Sequence, residues 1–551
     1  MYSDKEVLAQ PQRLSASQGR RNAITLCRLL LAATLACITT SIVRLPRPPQ
    51  SVTYPGEHIS WTPCGALAEH DLECSTISVP MDHFTASNND DGKSFTIPLL
   101  RMRGKDATQN ILLNPGGPGA SGVEFIYRRG AQLSAIVGEG FHLLSFDPRG
   151  INGSRPLATC HPTPEDRYKF SEPRAKNVHW DGGEVWAWSN NFARACADSM
   201  GEYGTYINTP QTAADMNSIL DAVGQQDMYY WGFSYGTLLG QTYATLFPER
   251  SKRVIIDGVV NQFDWYDSPV SKEEFQDSEK VLEGYLDNCI KAGPKNCSLA
   301  SLAETTEDLY NKLITSLNNL GVNPVAVYVN NTAYGILDYW NLRDALFVAL
   351  YRPSSWYDMA HNLASLLRGN GTAAFLAYGR EKPLLHTSLD AHYTFRLNDG
   401  MAGPNHWPKD RTSVTKEILP ILNLSIFSKS VYNLYFTKAA WSIPKTHSYV
   451  PKRHVKTAHP LLILSTTYDP ICPLVSAHLA NSVFKGSRLV EVKGYGHCSV
   501  AVPSICMSRH VKEFLYNGTL PKKNVKCEVD GSPYFAKPDK QGWMQETMGG
   551  V

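Results

Sequence analysis

Gly232-Phe233-Ser234-Tyr235-Gly236 lies between an apolar run, Met228 to Trp231, and a helix-like run, Thr237 to Phe247. An apolar strand that passes through a glycine-flanked serine into a helix is the pattern of a nucleophile elbow. There the serine sits in a strained turn with its hydroxyl exposed at the carboxyl edge of a sheet. The chemistry expected of such a serine is acyl transfer through a covalent ester. It requires a base, an acid to orient that base, and donors for the oxyanion.

Working outward, short apolar runs recur at Ile111 to Leu113, His142 to Phe146, Val254 to Ile256, Leu461 to Leu464 and Leu489 to Val492. Continuous runs of this length are what parallel strands buried on both faces produce. Helical periodicity fills gaps between them, at Ala213 to Val223, Leu474 to Phe484 and Ser508 to Tyr516, so the expected fold is α/β with a mostly parallel, doubly wound sheet. Ser75 to Val79 and Ser94 to Met102 alternate like the strands of an opening hairpin, with the turn-rich stretch Thr85 to Gly92 between them. From Asp267 to about Thr457 the strand signal fades. Helix-like segments take over at Glu273 to Lys291, Ser301 to Leu317, Asn341 to Tyr351 and Tyr357 to Leu367. An insertion at that point would roof the crevice outside the strand ends, so it reads as a helical lid; an independent helical domain is the competing reading.

The base is expected just after the last strands, where Gly494-Tyr495-Gly496-His497 follows Leu489 to Val492. His497 is therefore the candidate general base. Two acids compete to orient it. Asp469 follows Leu461 to Leu464 and completes the chain order Ser, Asp, His; Asp257 directly follows Val254 to Ile256, but its neighbour Gly258 makes it equally a turn or cap residue. Asn114-Pro115-Gly116-Gly117-Pro118-Gly119 follows the strand Ile111 to Leu113. A backbone amide from that loop, Gly117 or its neighbour Gly116, together with the Tyr235 amide, would form the oxyanion hole. Asp147 and Arg149 end another strand and read as braces for this loop. No cofactor is required, and the absence of C-x-x-C and His-x-x-x-His spacings argues against zinc.

The 551 residues carry a formal net charge of +2, which favours neither nucleic acid nor an anionic membrane as partner. The expected partner is a peptide or small-molecule acyl substrate, and no pattern specifies an oligomer. The N-terminus is read separately. Residues 1–21 are polar, and 22–44 contain an uncharged run, Leu29 to Val43, between Arg28 and Arg44. This is a signal peptide or, if uncleaved, a membrane anchor with the bulk of the chain on the lumenal or outer side. A proline-rich linker follows at 45–58. The remaining organisation is a first core part at 59–267, the lid at 268–457 and a second core part at 458–551. Twelve cysteines suit an oxidising compartment. Cys64/Cys74, Cys160/Cys196, Cys289/Cys297 and Cys506/Cys527 are locally spaced pairs. With Cys27 and Cys37 inside the targeting segment, that leaves Cys472 and Cys498, either bonded, which would tie the Asp469 loop to the His497 loop, or two separate thiols. N-x-[ST] sequons at Asn152, Asn296, Asn330, Asn370, Asn423 and Asn517 fit the same compartment.

These residues resemble the S33 peptidase group of α/β-hydrolases, in particular its tripeptidyl aminopeptidase-like and prolyl aminopeptidase-like proteins. The resemblance rests on Trp61-Thr62-Pro63-Cys64-Gly65, Leu72-Glu73-Cys74, Val79-Pro80-Met81-Asp82, Asn114 to Gly122, Asp147-Pro148-Arg149-Gly150 and Gly232 to Thr237. Downstream it takes in Phe247-Pro248-Glu249-Arg250, Asp257-Gly258, Asp469-Pro470, Gly496-His497 and Gly518-Thr519-Leu520-Pro521. It implies the α/β-hydrolase fold, a Ser234–Asp469–His497 triad, a TAP-like C-terminal region, and release of N-terminal residues or short peptides. The chain departs from those relatives at Gly150-Ile151-Asn152-Gly153-Ser154, where they carry Gly-x-Gly-x-Ser, and its lid has no acidic motif that aligns as a binder for the substrate's α-amine. An esterase or lactonase acting on a small metabolite, and a hydrolase fold used only for binding, are the alternatives.

Overall fold

Alternation of side chains along buried strands decides how this chain layers. In the strand Gln109–Asn114, Leu112 packs on one face of the sheet while Ile111 and Leu113 pack on the other. Leu143 and Leu144 divide in the same way, as do Tyr230 and Trp231, Ile255 and Ile256, and Ile463 and Leu464. A sheet apolar on both faces must be covered on both. The computed structural model describes residues 51–85, 92–173, 178–379, 388–531 and 534–535. The targeting segment expected at 22–44, the tail before it and most of the turn expected between Thr85 and Gly92 lie outside the described residues. Among the described residues no helix is long and apolar enough to cross a membrane.

In chain order the elements that frame the site are β1 (Thr62–Leu67), β2 (His70–Pro80), β3 (Ser94–Met102), β4 (Gln109–Asn114), α1 (Gly122–Val137), β5 (Phe141–Phe146), α2 (Gly182–Thr205), α3 (Thr209–Ala222), β6 (Met228–Phe233), α4 (Tyr235–Leu246) and β7 (Ser251–Asp257). Then follow α5 (Ser278–Ala292), α6 (Thr306–Val322), β8 (Val325–Asn330), β9 (Ala333–Leu337), α7 (Tyr339–Tyr351), α8 (Trp356–Leu367), α9 (Ser388–Asp399), α10 (Arg411–Leu422) and α11 (Tyr432–Ala440). The chain closes with β10 (Leu462–Tyr468), α12 (Leu474–Val483), β11 (Arg488–Tyr495), α13 (Ile505–Asn517) and β12 (Val525–Cys527).

Ten strands form one sheet in the order β1-β2-β3-β5-β4-β6-β7-β10-β11-β12. The β1, β2, β3 and β5 pairings are antiparallel, with β2 and β3 in continuous register from Leu72↔Met102 to Pro80↔Ser94. From β5 onward every pairing is parallel. Helices α3, α4 and α12 cover one face, and α1 and α13 the other. Strand order reverses at β4, flanked by β5 and β6. The crevice outside the carboxyl ends of β4 and β6 is therefore the topological switch point where α/β sheets bind ligands.

β7 and β10 are neighbours in the sheet, paired from Leu462↔Ile255 to Leu464↔Asp257, yet roughly two hundred residues separate them in the chain. Much of that stretch builds a core of its own, in which Leu282, Leu313, Leu346 and Leu363 meet around Trp356. A second small cluster joins Val414 and Ile418 of α10 to Tyr432 and Phe436 of α11. The antiparallel hairpin β8–β9 is a departure from the helical expectation for this region. Its strands are short and mostly exposed, and the apolar run Val325 to Val329 in the first of them is a strand signal that the helical reading of this region passed over.

Four disulfides join Cys64 to Cys74, Cys160 to Cys196, Cys289 to Cys297 and Cys506 to Cys527. Cys472 and Cys498 are both free and buried, so the bond that would have tied their loops is not made. The Asn152 amide donates to Ser121 Oγ at 3.1 Å and Asp147 Oδ2 at 2.9 Å. With both hydrogens engaged, that sequon is a structural asparagine.

Arg149 is fully buried. Its guanidinium donates to both Asp215 oxygens, at 2.7 and 2.5 Å, and to the carbonyls of Pro80, Met81 and Tyr206. One side chain thus joins the end of β2 to α3. Asp215→Ala would leave that charge buried without its carboxylate, a loss expected to cost about 3–5 kcal/mol. Urea denaturation with the disulfides intact measures it; an unchanged midpoint would show that the pair carries no stability.

Candidate active site

Ser234 follows β6 directly and occupies the turn into α4 with φ 56°, ψ −126°, a left-handed strain for a non-glycine residue. The surroundings leave no alternative. A Cβ on Gly232 would stand 2.3 Å from the Gly236 carbonyl oxygen, and one on Gly236 would stand 2.6 Å from the Asn114 carbonyl oxygen. The Ser234 N–H donates to the Asp257 carbonyl at 3.0 Å, and its own carbonyl accepts from Thr237 N and Oγ1.

The loop after β4 is pressed against this turn. A Cβ on Gly116 (φ 94°) would lie 2.4 Å from the Phe233 oxygen and 2.9 Å from Tyr235 N. The Gly116 N–H is occupied by Asn114 Oδ1 at 3.0 Å, whereas Gly117 lines the same cavity as Ser234 and Tyr235. Of the two amides in that loop, Gly117 is thus the one placed to serve an oxyanion with the first amide of α4, Tyr235. Asp147 reaches the far end of the loop, accepting from Ser121 Oγ at 2.6 Å and Val123 N at 3.2 Å. It is a brace. Arg149 braces β2 and α3 instead, as described above.

His497 and Asp469 are brought together at the carboxyl ends of β11 and β10. His497 Nδ1 lies 3.0 Å from Asp469 Oδ1 and 2.9 Å from Oδ2. The carboxylate is fully buried and also accepts from the amides of Ile471 (3.0 Å), Cys472 (2.9 Å) and Cys498 (2.9 Å). Four donors hold it oriented. With Nδ1 bound to Asp469, Nε2 is the ring nitrogen left for the cavity. The insertion contributes as well: the Tyr351 carbonyl accepts from His497 N at 3.0 Å, and the Tyr351 ring meets the imidazole edge-on at 4.7 Å. Tyr351 carries no sequence signal, because it is one aromatic among many at the end of a helix far away in the chain.

The rival acid Asp257 makes its side-chain hydrogen bonds to Ser499 and not to the imidazole. Its oxygens accept from Ser499 N at 2.6 Å and Ser499 Oγ at 2.7 Å, so it anchors the histidine loop while its carbonyl anchors Ser234.

These residues open on a cavity of about 830 Å³ shared by Gly117, Ser234, Tyr235, Cys472 and His497. The same cavity is lined by the acidic residues Glu172, Asp264, Glu273 and Glu274. Arg396 pairs with Glu274. The Glu172 carboxylate is held by Tyr393 Oη at 3.1 Å and by Asn433 Nδ2, neither of them a cation, and burial pushes it above the usual carboxylate range. Glu172 lies outside the inserted segment expected to carry an amine-binding acid. Its isolation within Phe170-Ser171-Glu172-Pro173 offered no periodicity to read.

Burial pushes the Asp257 carboxyl up from 3.8 to about 6, against its bonds from Ser499. The folded protein therefore keeps this proton through a window in which the unfolded chain has lost it. The stability it contributes is full below about pH 4 and is lost as the pH rises through about 6. Relative to Asp257→Asn, the wild type is expected to lose about 3 kcal/mol across that window. Parallel pH profiles of urea stability for the two proteins would refute this.

Residues 425–527 match the family model described as TAP-like protein. The chain is 27% identical over 507 residues to the serine protease Hip1 of Mycobacterium tuberculosis, covering 86% of this chain and 91% of that protein. It is 25% identical over 501 residues to the tripeptidyl aminopeptidase of Streptomyces lividans (86% and 87% covered). It is also 26% identical over 489 residues to carboxylesterase B of M. tuberculosis (85% and 89% covered). Together with the parallel sheet and the serine at its switch point, these likenesses carry one conclusion: this is an α/β-hydrolase fold with a TAP-like region at 425–527, similar over most of its length to serine hydrolases that include peptidases.

Proposed function

We propose that this serine hydrolase is an exopeptidase that removes N-terminal residues or short peptides, with Ser234, His497 and Asp469 as its triad. His497 Nε2 takes the Ser234 proton as Oγ attacks the scissile carbonyl. Asp469 holds the imidazole in the required tautomer and stabilises the imidazolium. The amides of Gly117 and Tyr235 receive the oxyanion, and the protonated His497 returns its proton to the departing amine. Water, deprotonated by the same imidazole, then frees the acyl group.

The observation that carries the exopeptidase reading is the acidic lining of the cavity that holds Ser234, above all Glu172, which has no cationic partner among the described residues. A peptide's free α-ammonium would supply the missing countercharge, whereas a neutral ester has no such group. The similarity to a tripeptidyl aminopeptidase supports the same substrate class. Asp469→Asn is expected to lower kcat by about 10⁴-fold through the wrong imidazole tautomer. Glu172→Gln is expected instead to raise KM for free peptides by about 10-fold or more while sparing N-acetylated ones. Equal loss on both substrates would overturn the amine assignment, and turnover of acyl esters without any peptide cleavage would favour an esterase.

The disulfides support a working place in an oxidising compartment, on the secretory route to which residues 22–44 would deliver the chain. We read that segment as a retained anchor. Mass spectrometry of the mature protein is expected to find its N-terminus ahead of residue 22; a start after Val43 would make the protein secreted and remove the anchor.

A further inference from the structure

Asp399 is a fully buried carboxylate at the carboxyl end of α9, and the acyl-transfer chemistry does not use it. Its Oδ1 accepts from Thr209 N at 2.8 Å, and its Oδ2 accepts from Thr209 Oγ1 at 2.6 Å and from Trp265 Nε1 at 2.9 Å. Thr209, the first residue of α3, also brings its Oγ1 to 2.5 Å from the Tyr235 phenol oxygen. A hydroxyl has one hydrogen, and that of Thr209 goes to the carboxylate, so Tyr235 is the donor in this contact. A directed chain results, from the Tyr235 O–H to the Thr209 O–H to Asp399. All three side chains are buried, so water does not compete for its links. Trp265, held by the same carboxylate, stacks its ring at a tilt 5.6 Å from that of Tyr235, and Phe395 of α9 stands 5.9 Å from it. The end of α9 is in turn fixed to the core, because the Asn398 amide donates to the carbonyls of Gly204 and Ile207 at 2.8 Å each.

Tyr235 is the first residue of α4 and directly follows Ser234, whose backbone is strained. A strained turn persists only where its surroundings hold it. The Tyr235 side chain is the point at which the segment between β7 and β10 takes hold of this one. We infer that Asp399 is a positioning residue for catalysis: through Thr209 it fixes the Tyr235 side chain, and with it the Tyr235 N–H, where the oxyanion forms. The insertion then contributes to the chemistry and not only to the cavity wall. This assignment rests on the triad reading, because the Tyr235 amide matters only if Ser234 is the nucleophile. A purely wall-forming role for Tyr235 and Trp265, which both line the cavity, would act on substrate binding instead.

The test is steady-state hydrolysis of a tripeptidyl p-nitroanilide by the purified full-length chain and its variants. A second readout is the affinity of a tripeptide boronic acid, whose tetrahedral adduct with Ser234 places an oxygen in the oxyanion hole. Tyr235→Phe and Thr209→Val are each expected to lower kcat by about 10-fold or more with KM little changed, and to weaken the boronic acid by a similar factor. Combined, they should cost no more than either alone, because both cut the same link. Thr209→Ser, which keeps the hydroxyl, should retain the wild-type kcat. Asp399→Asn is expected to lower kcat at least as far; should it fold poorly, Tyr235→Phe carries the test, since it removes one oxygen and leaves Thr209 bonded to Asp399. Wild-type kcat in Tyr235→Phe, or a loss confined to KM, overturns the assignment, as does a Thr209→Ser variant as slow as Thr209→Val. Ser234→Ala keeps the two readings apart. If it still hydrolyses the substrate, the triad reading fails and this assignment with it; if it is inactive while Tyr235→Phe and Thr209→Val turn over normally, only this assignment fails.

Discussion

The reversal of strand order around β4 is the constraint on which the rest of this molecule depends. Because β5 and β6 lie on opposite sides of β4, the chain leaves β4 and β6 toward different faces of the sheet, and a crevice opens between their carboxyl ends. The Gly116-Gly117 loop and the Ser234 turn are the two ends that border it. They are packed so closely that neither Gly116 nor Gly236 has room for a side chain. Close backbone approach therefore brings Gly117 and Tyr235 into one cavity with Ser234 before any substrate arrives, the placement that the proposed oxyanion hole requires.

Buried carboxylates at the strand ends transmit that geometry outward, each to a different segment. Asp147 ties the oxyanion loop to the turn after β5, Asp257 ties the serine turn to the histidine loop, and Asp469 ties the histidine ring to the loop after β10. Every one accepts several N–H or O–H donors, so the cost of burying the charge is offset locally. The result is a set of loops that can be displaced only by leaving a buried charge unsatisfied. The insertion between β7 and β10 adds the last contact, with Tyr351 against His497 and Pro353 packed where a side chain on Gly496 would have to stand.

Much of this was legible before the structure. The serine turn, the glycine loop and the histidine loop each lie where an apolar run ends, and such runs are visible because strands buried on both faces admit few polar residues. Less legible were elements stabilised from elsewhere. β1 has a largely exposed pattern and is held by pairing with β2 and by the Cys64–Cys74 bond, and the β8–β9 hairpin is likewise mostly exposed. The helix α2 overlaps a stretch rich in Trp, Ser, Asn and Gly whose burial is set by α11, a partner more than two hundred residues away.

The sequence by itself determined the layering and the chemistry available at the strand ends, because hydrophobic periodicity and glycine placement are local properties of the chain. Tertiary structure decided which of two aspartates meets the imidazole, which glycine amide is left open, that Cys472 and Cys498 stay reduced, and that Glu172 joins the cavity. Each is a choice among groups of the same chemistry at similar strand-end or loop positions. Only the distances between segments remote in the chain distinguish them, since hydrogen bonds and disulfides tolerate errors of a few tenths of an ångström.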